Sequence, residues 1–331
     1  KAFQQGLEMA KFWYSDKQLV ENGLPRSWWI QNEKIDGYNN KYIGDFWTYP
    51  SFTRCFTDGM EGLLDCLRFA EAYDLPEAEE WGKIMNKFGE FLLNAETEGD
   101  GSFYRAYQKD GKYVRDPNVM GPWENEQAKL QANAKTNTLI PVRLLIRLYE
   151  WSGDKRYLDR AIAAGEYGYN KYFKEMGTFI GGTPDNANVV DKEAGVFAMY
   201  AFTALYQATG DKKYYDEAQQ TAAACVETWV KKYANDKEEE IYIVESGDVW
   251  FDAVMMRGFL ALWRVNQTDM LLEVYHDTLN YAWYMGRDEN GLFGKYLTAR
   301  QEGEDKSWLL TQAAYVEMSA RLAAAQKSKE E

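Results

Sequence analysis

Between Lys135 and Trp151 the run KTNTLIPVRLLIRLYEW repeats apolar residues at helical spacing. Ser152-Gly153-Asp154 breaks that pattern: glycine suits a helix end and aspartate a helix start. KRYLDRAIAAGEYGYNKYF then runs back as a second helix, so the segment predicts an αα-hairpin. The chain repeats the unit. RLYEWSGDKRYLDRA begins at Arg147 and ALYQATGDKKYYDEA at Ala204, 204 − 147 = 57 residues later. A third copy sets its ALW at Ala261, again 261 − 204 = 57 residues on. FTDGMEGLLDCLRFAEAYDL with PEAEEWGKIMNKFGEFLL is a looser copy, AFQQGLEMAKFWY reads as an outgoing helix near the start, and WLLTQAAYVEMSARLAAAQ as an incoming one near the end.

Repetition of one supersecondary unit allows an open solenoid or a closed ring. Solenoid repeats keep short connections of constant length, whereas the loops here are long and variable, 99–134 among them, and rich in Gly, Trp and charge. A closed ring follows: an all-α, (α/α)6-type toroid occupying residues 1–331 as a single domain. Its inner helices are expected over 54–72, 137–150, 191–207, 249–265 and 308–325, with outer helices between them. That gives about ten helices where six hairpins need about twelve, which leaves a hairpin to be found in the first fifty residues or an incomplete ring. Gly-aromatic runs, DGSFYRAY (100–107), GTFIGGT (177–183) and NGLFGKYL (290–297), predict short β-hairpin-like loops at one end of the helices.

Composition narrows the chemistry. The 331 residues carry a formal charge of −14, which disfavours nucleic acid, and no run is apolar enough to span a membrane. Three cysteines without a CxxC and a single histidine, His276, suggest no disulfide framework, no metal site and no cofactor. Twelve Trp and 24 Tyr exceed what a core of this size requires, and flat rings stack well on sugars. DKEEE (236–240) and KSKEE (327–331) read as solvated loop and tail. The chain opens on Lys1 without a Met, as after removal of a signal peptide or in a piece of a longer protein with an upstream domain.

The residues resemble a known group. SGDVWFDAVMMRGFLALWRV, MGRDENGLFGKYL and LLTQAAYVEMSARLA are similar to the bacterial endo-α-1,6-mannanase family, one of the six-hairpin (α/α) toroid glycosidases. GGTPDNANVVDKEAG is also similar to toroid β-glucuronidase-like proteins of polyuronide breakdown. The resemblance implies a glycoside hydrolase acting on an oligo- or polysaccharide, in a bacterial extracellular or periplasmic setting. The mannanase family carries adjacent aspartates early in an inner helix. The matching stretch here is TDGMEG, where Gly59 stands in place of the second, so Asp58 alone carries over.

Glycoside hydrolysis needs two carboxylates, one protonated and one ionised, flanking a single bond. The starts of the inner helices point to one end of a ring, and they carry Asp58, Asp191 with Glu193, and Asp248 with Asp252. Asp248 and Asp252, at i and i+4, share a helix face. Helix capping alone also favours aspartate at such positions. Trp47, Trp123 and Trp250 are candidate sugar platforms, with Trp28, Trp29 and Tyr49 in the same kind of loop. Lys135, Asn137 and Arg257, with Arg54, are candidates to hold hydroxyls or a carboxylate, as ordinary ion pairing with nearby acids also allows. Asp185 is a further binding candidate or a turn residue, and Glu124 and Glu126 are loop acids. Two other functions stay open: a lyase acting on a uronic-acid polymer, and a carbohydrate-binding toroid without catalysis.

Overall fold

The computed structural model describes residues 2–14, 51–108, 110–116, 134–173, 192–235, 238–245, 249–294 and 309–330. Its helices fall into two compact units, Lys1–Asn170 and Lys171–Glu331. The Trp28, Trp29, Trp47, Tyr49, Trp123, Glu124, Glu126, Asp185, Asp191 and Asp248 candidates lie outside the described residues, as does the strand-like run at 177–183.

In the first unit, α1 (Ala2–Trp13) precedes a two-residue strand β1 (Ser51–Phe52) and α2 (Thr53–Ala72). The α2 core face, Phe56, Met60, Leu63, Leu64 and Leu67, recurs at helical spacing and packs on α3 (Glu77–Asn94). Phe56 meets Phe88 and Phe91 edge-on, with ring centroids 5.8 and 5.7 Å apart. Strand β2 (Ala106–Tyr107) pairs antiparallel with β1. The second hairpin is α4 (Ile140–Ser152) and α5 (Lys155–Gly168), followed by a π-helical turn at Tyr169–Phe173. The sequence pattern starts α4 at 137; Thr136–Leu139 form a turn instead, because Pro141 belongs in a first helical turn, where no amide donor is needed.

The second unit holds α6 (Lys192–Thr209), α7 (Lys212–Trp229), a hairpin of β3 (Val230–Ala234) and β4 (Glu240–Val244), α8 (Val249–Asn266), α9 (Met270–Met285) and α10 (Leu309–Glu330). Helices α6 and α8 are buried on almost every side, whereas α7 buries one stripe, Tyr214, Ala218, Ala222 and Cys225. Gly258 lets α6 and α8 approach: a Cβ there would come 2.5 Å from the Met199 terminal methyl. Two charged runs of this unit border regular elements. The tail at 327–330 is helical, the last turn of α10, where Lys327 and Lys329 complement the helix dipole and Lys329 bonds Asp269 at 2.6 Å. The last residue of DKEEE, Glu240, opens β4, which pairs antiparallel with β3.

The repeat has a physical basis in its turns. Gly153 and Gly210 sit at φ 73° and 74°, each donating its amide 2.8 Å to the carbonyl four residues back. Asp154 and Asp211 then cap the next helix through the amides of Arg156 and Lys213. The third copy puts Gln267 in the same left-handed conformation, φ 55°, with the same bond to Trp263 at 2.7 Å. A side chain is strained there. Gln267→Gly is therefore expected to stabilise the protein by about 1 kcal/mol, read from denaturant unfolding.

Glu217 on α7 is buried at 5% exposure, and its Oε2, like Thr221 Oγ1 one turn on, has no hydrogen-bond partner among the described residues. Burial, with a smaller contribution from the Asp216 charge, pushes the Glu217 carboxyl up to about 8. Its folded pKa lies above the unfolded one, so its contribution to stability is full below the ordinary carboxylate range and is lost as pH rises through 8. Glu217→Gln is expected to leave stability almost unchanged near pH 4 and to raise it by on the order of 1–3 kcal/mol near pH 9. Unfolding curves of both proteins at the two pH values check this.

Candidate active site

In the second unit, backbone geometry brings the starts of two helices to one end. Helix α7 runs antiparallel to α6 after a two-residue link, Gly210-Asp211, and passes straight into β3. β4 returns antiparallel, and the Glu245 amide donates 2.7 Å to the carbonyl of Trp229, the last residue of α7. Four residues later α8 begins. The start of α8 therefore lies at the end of the unit where α6 starts, and the two packed helices run parallel. Glu193 occupies the first turn of α6 and Asp252 the first turn of α8. In sequence, Asp191 immediately precedes α6, and Asp248 immediately precedes α8. A helix start favours negative charge and supplies amide donors to it.

The described side chains divide the candidates. Asp252 has no exposed surface. Buried Tyr275 of α9 donates its hydroxyl 2.8 Å to the Asp252 carbonyl, and burial, together with the Asp252 charge, raises the pKa of that tyrosine far above its usual value. Asp252 thus faces the neighbouring helix α9, while Trp250, two positions earlier, is half-buried. Arg257 makes a two-pronged ion pair with Glu317 of α10, at 2.6 and 2.9 Å, and Arg321 adds a third bond at 2.7 Å. Burial raises the Glu317 pKa, but the Arg257 hydrogen bond and charge outweigh it and hold the carboxyl low. Arg257 is thereby committed to joining α8 to α10.

In the first unit Asp58 lies in the second turn of α2, not at its start, because Thr53 opens the helix. The Thr53 amide donates to the Arg105 carbonyl, and its hydroxyl to that of Tyr104. Arg54 stands 3.9 Å from Asp58. The hydroxyl of half-buried Tyr14 donates 2.9 Å to the Gly59 carbonyl. Lys135 bonds Asp100, lies 3.5 Å from Glu98, and sits over the rings of Tyr104 and Tyr167. Asn137 is buried in the turn before α4, its carbonyl accepting from Ile140. His276 is exposed on α9 beside Asn280 and Asp277. Among the described residues no group of acids, histidines and cysteines could hold a metal ion.

The model of glycosyl hydrolase family 76 matches residues 122–329. The chain belongs to that family. The matched span contains Asp191, Glu193, Asp248 and Asp252 and excludes Asp58. Solved structures carry the likeness over more of the chain. A family 76 glycoside hydrolase from a bovine Bacteroides thetaiotaomicron strain has 18% identity and a TM-score of 0.63, over 84% of this chain and 57% of that one. A family 76 mannosidase from Bacteroides thetaiotaomicron has 17% identity and a TM-score of 0.53, over 97% of both chains. An α-1,6-mannanase from Salegentibacter sp. has 16% identity and a TM-score of 0.57, over 95% and 97%, in an inactive variant with two consecutive aspartates replaced and α-1,6-mannotriose bound. No curated protein matches the chain. These likenesses fix the fold as the all-α, (α/α)6-type toroid of family 76. This family 76 member contains no two consecutive aspartates anywhere in its 331 residues.

Proposed function

We propose that this family 76 member hydrolyses an α-1,6-linked mannan, drawing its two carboxylates from Asp191, Glu193 and Asp248. What supports the reading is the family match over 122–329 together with the parallel starts of α6 and α8, beside which these acids lie in sequence. One carboxyl, in its protonated form, would give its proton to the departing glycosidic oxygen. The other, ionised and favoured by a helix start, would act on the anomeric carbon directly or through a water. Asp252, in the first turn of α8, has no exposed surface, so it is left out of this set. The setting for such a polymer is the cell exterior or the periplasm.

A second reading has its own observation. The lack of consecutive aspartates favours a toroid that binds mannan without cutting it. Reducing-end release from α-1,6-mannan, β-glucuronides and polyuronides, with ultraviolet absorbance followed in parallel, separates the possibilities. The expected result is new reducing ends from the mannan alone, without new absorbance. Absorbance rising with the reducing ends would mean an unsaturated product and a lyase. Silence on every polymer would leave the binding toroid.

A further inference from the structure

Helix α9 ends in an aromatic run that its packing does not use. Trp283 is 50% exposed and Tyr284 80%, and Met285 and Leu292 beside them are exposed too. A cluster of large exposed apolar side chains marks an interaction surface more often than chance packing. Trp283 is also held in place. The Arg287 guanidinium lies 3.6 Å from the Trp283 ring centre, and its Nε donates 2.7 Å to the Trp283 carbonyl. On the other side Trp283 meets Phe293, which stacks on buried Tyr315 at 3.9 Å. The loop from Gly286 to Gly294 closes on itself through an Arg287–Phe293 bridge. Gln312 of α10 pins it by bonding both the amide and the carbonyl of Phe293, at 3.0 and 2.8 Å.

The placement is informative. Helix α9 runs antiparallel to α8 after a three-residue link, so its last turn returns to the end of the second unit where α6 and α8 begin. The starts of α6 and α8 and the aromatic cluster thus share one end of the same unit. Rigid rings that need no ordering on contact suit the CH faces of pyranose sugars, and the exposed Asn290 amide beside them suits hydroxyls. A chain with a charge of −14 repels an anionic polymer and leaves a neutral one.

We propose that Trp283, Tyr284 and the Arg287 side chain form a second polysaccharide-binding surface, which holds a neutral stretch of the substrate polymer away from the bond being cut. The substrate's identity here rests on the mannan reading above. The test compares wild type with Tyr284→Ala and with the double variant Trp283→Ala/Tyr284→Ala. Tyr284 is 80% exposed, so its single variant folds whatever becomes of the double. On α-1,6-mannobiose, whose two sugars are both taken up by the bond being cut, the variants are expected to match wild type. On long linear α-1,6-mannan kcat/KM is expected to fall about five- to tenfold in the double variant. Equal loss on both substrates, or no loss on either, overturns the proposal. So does a change of association state in size-exclusion chromatography, which would make the cluster a self-association face. Retardation in native gels containing mannan or a neutral β-glucan keeps this test separate from the hydrolase reading. If neither mannan is cut but wild type is retarded and the double variant is not, the surface stands and hydrolysis falls. Equal retardation of wild type and double variant sinks the surface.

Discussion

Glu193→Gln is expected to lower the rate of α-1,6-mannan hydrolysis by about 10²- to 10⁴-fold while leaving the fold and mannan binding intact. The substitution keeps the shape of the side chain and removes only its ability to ionise and move a proton. Glu193 sits in the first turn of α6, within the family match, and its neighbour Asp191 precedes the helix. Asp191→Asn should act alike if the two serve one bond. Residues working as a unit are not additive, so the double variant should be little worse than the more damaging single. Asp252→Asn offers the contrast. Its carboxyl is fully buried, so the change should appear in the melting temperature first and in the rate only through the start of α8. Initial rates and thermal unfolding on the same preparations read both quantities. An Asp252→Asn that melts normally but cuts no mannan would make Asp252 a catalytic residue after all.

Gly89→Ala is expected to cost about 3 kcal/mol or more of stability. A Cβ at this position of α3 would lie 2.8 Å from the Cζ of Tyr157 and closer still to its hydroxyl. Tyr157 belongs to α5 and is itself buried, so the rigid ring has nowhere to go. Ordinary helix propensity pulls the other way, since alanine in a helix interior is worth up to about 1 kcal/mol over glycine. The steric penalty wins because the obstructing atoms are an aromatic ring, not the end of a flexible chain. Gly258→Ala is the control: there the obstacle is the movable Met199 methyl, and the cost should be small. A double-mutant cycle of Gly89→Ala with Tyr157→Ala should show strong coupling, because the second change removes the obstruction.

Much of the architecture is written in the turns. Gly153-Asp154 and Gly210-Asp211 announce themselves because glycine tolerates the left-handed conformation and aspartate caps the next helix. Gln267 performs the first of those duties without the usual residue, so only the 57-residue spacing betrays it. The β3–β4 hairpin is hidden by charge: Lys231 and Lys232 on one strand and the acids of the turn mask a weak alternation. The site is legible to a lesser depth. That Glu193 and Asp252 begin helices follows from periodicity, and that those helices run parallel follows from the hairpin order. Which way Asp252 faces does not follow, because a helix buried on every side gives no polar stripe by which to orient it. Lys135 and Arg257 show the same limit: their acidic partners, Asp100 and Glu317, are 35 and 60 positions away. Trp283 and Tyr284 carry a readable signal: with Tyr281 they put three aromatics among four positions of α9, which cannot all face one core.

The most direct measurement of the central claim is the fate of linear α-1,6-mannan with wild type and with Asp191→Asn/Glu193→Gln/Asp248→Asn. Reducing ends are counted against time, and mannan binding is measured by calorimetry on the triple variant. The account predicts steady release of reducing ends by wild type, none by the triple variant, and retained binding by that variant. Equal release by both proteins would contradict the placement of the carboxylates at the starts of α6 and α8. Binding by both with no release by either would make this family 76 member a mannan-binding toroid that does not cut.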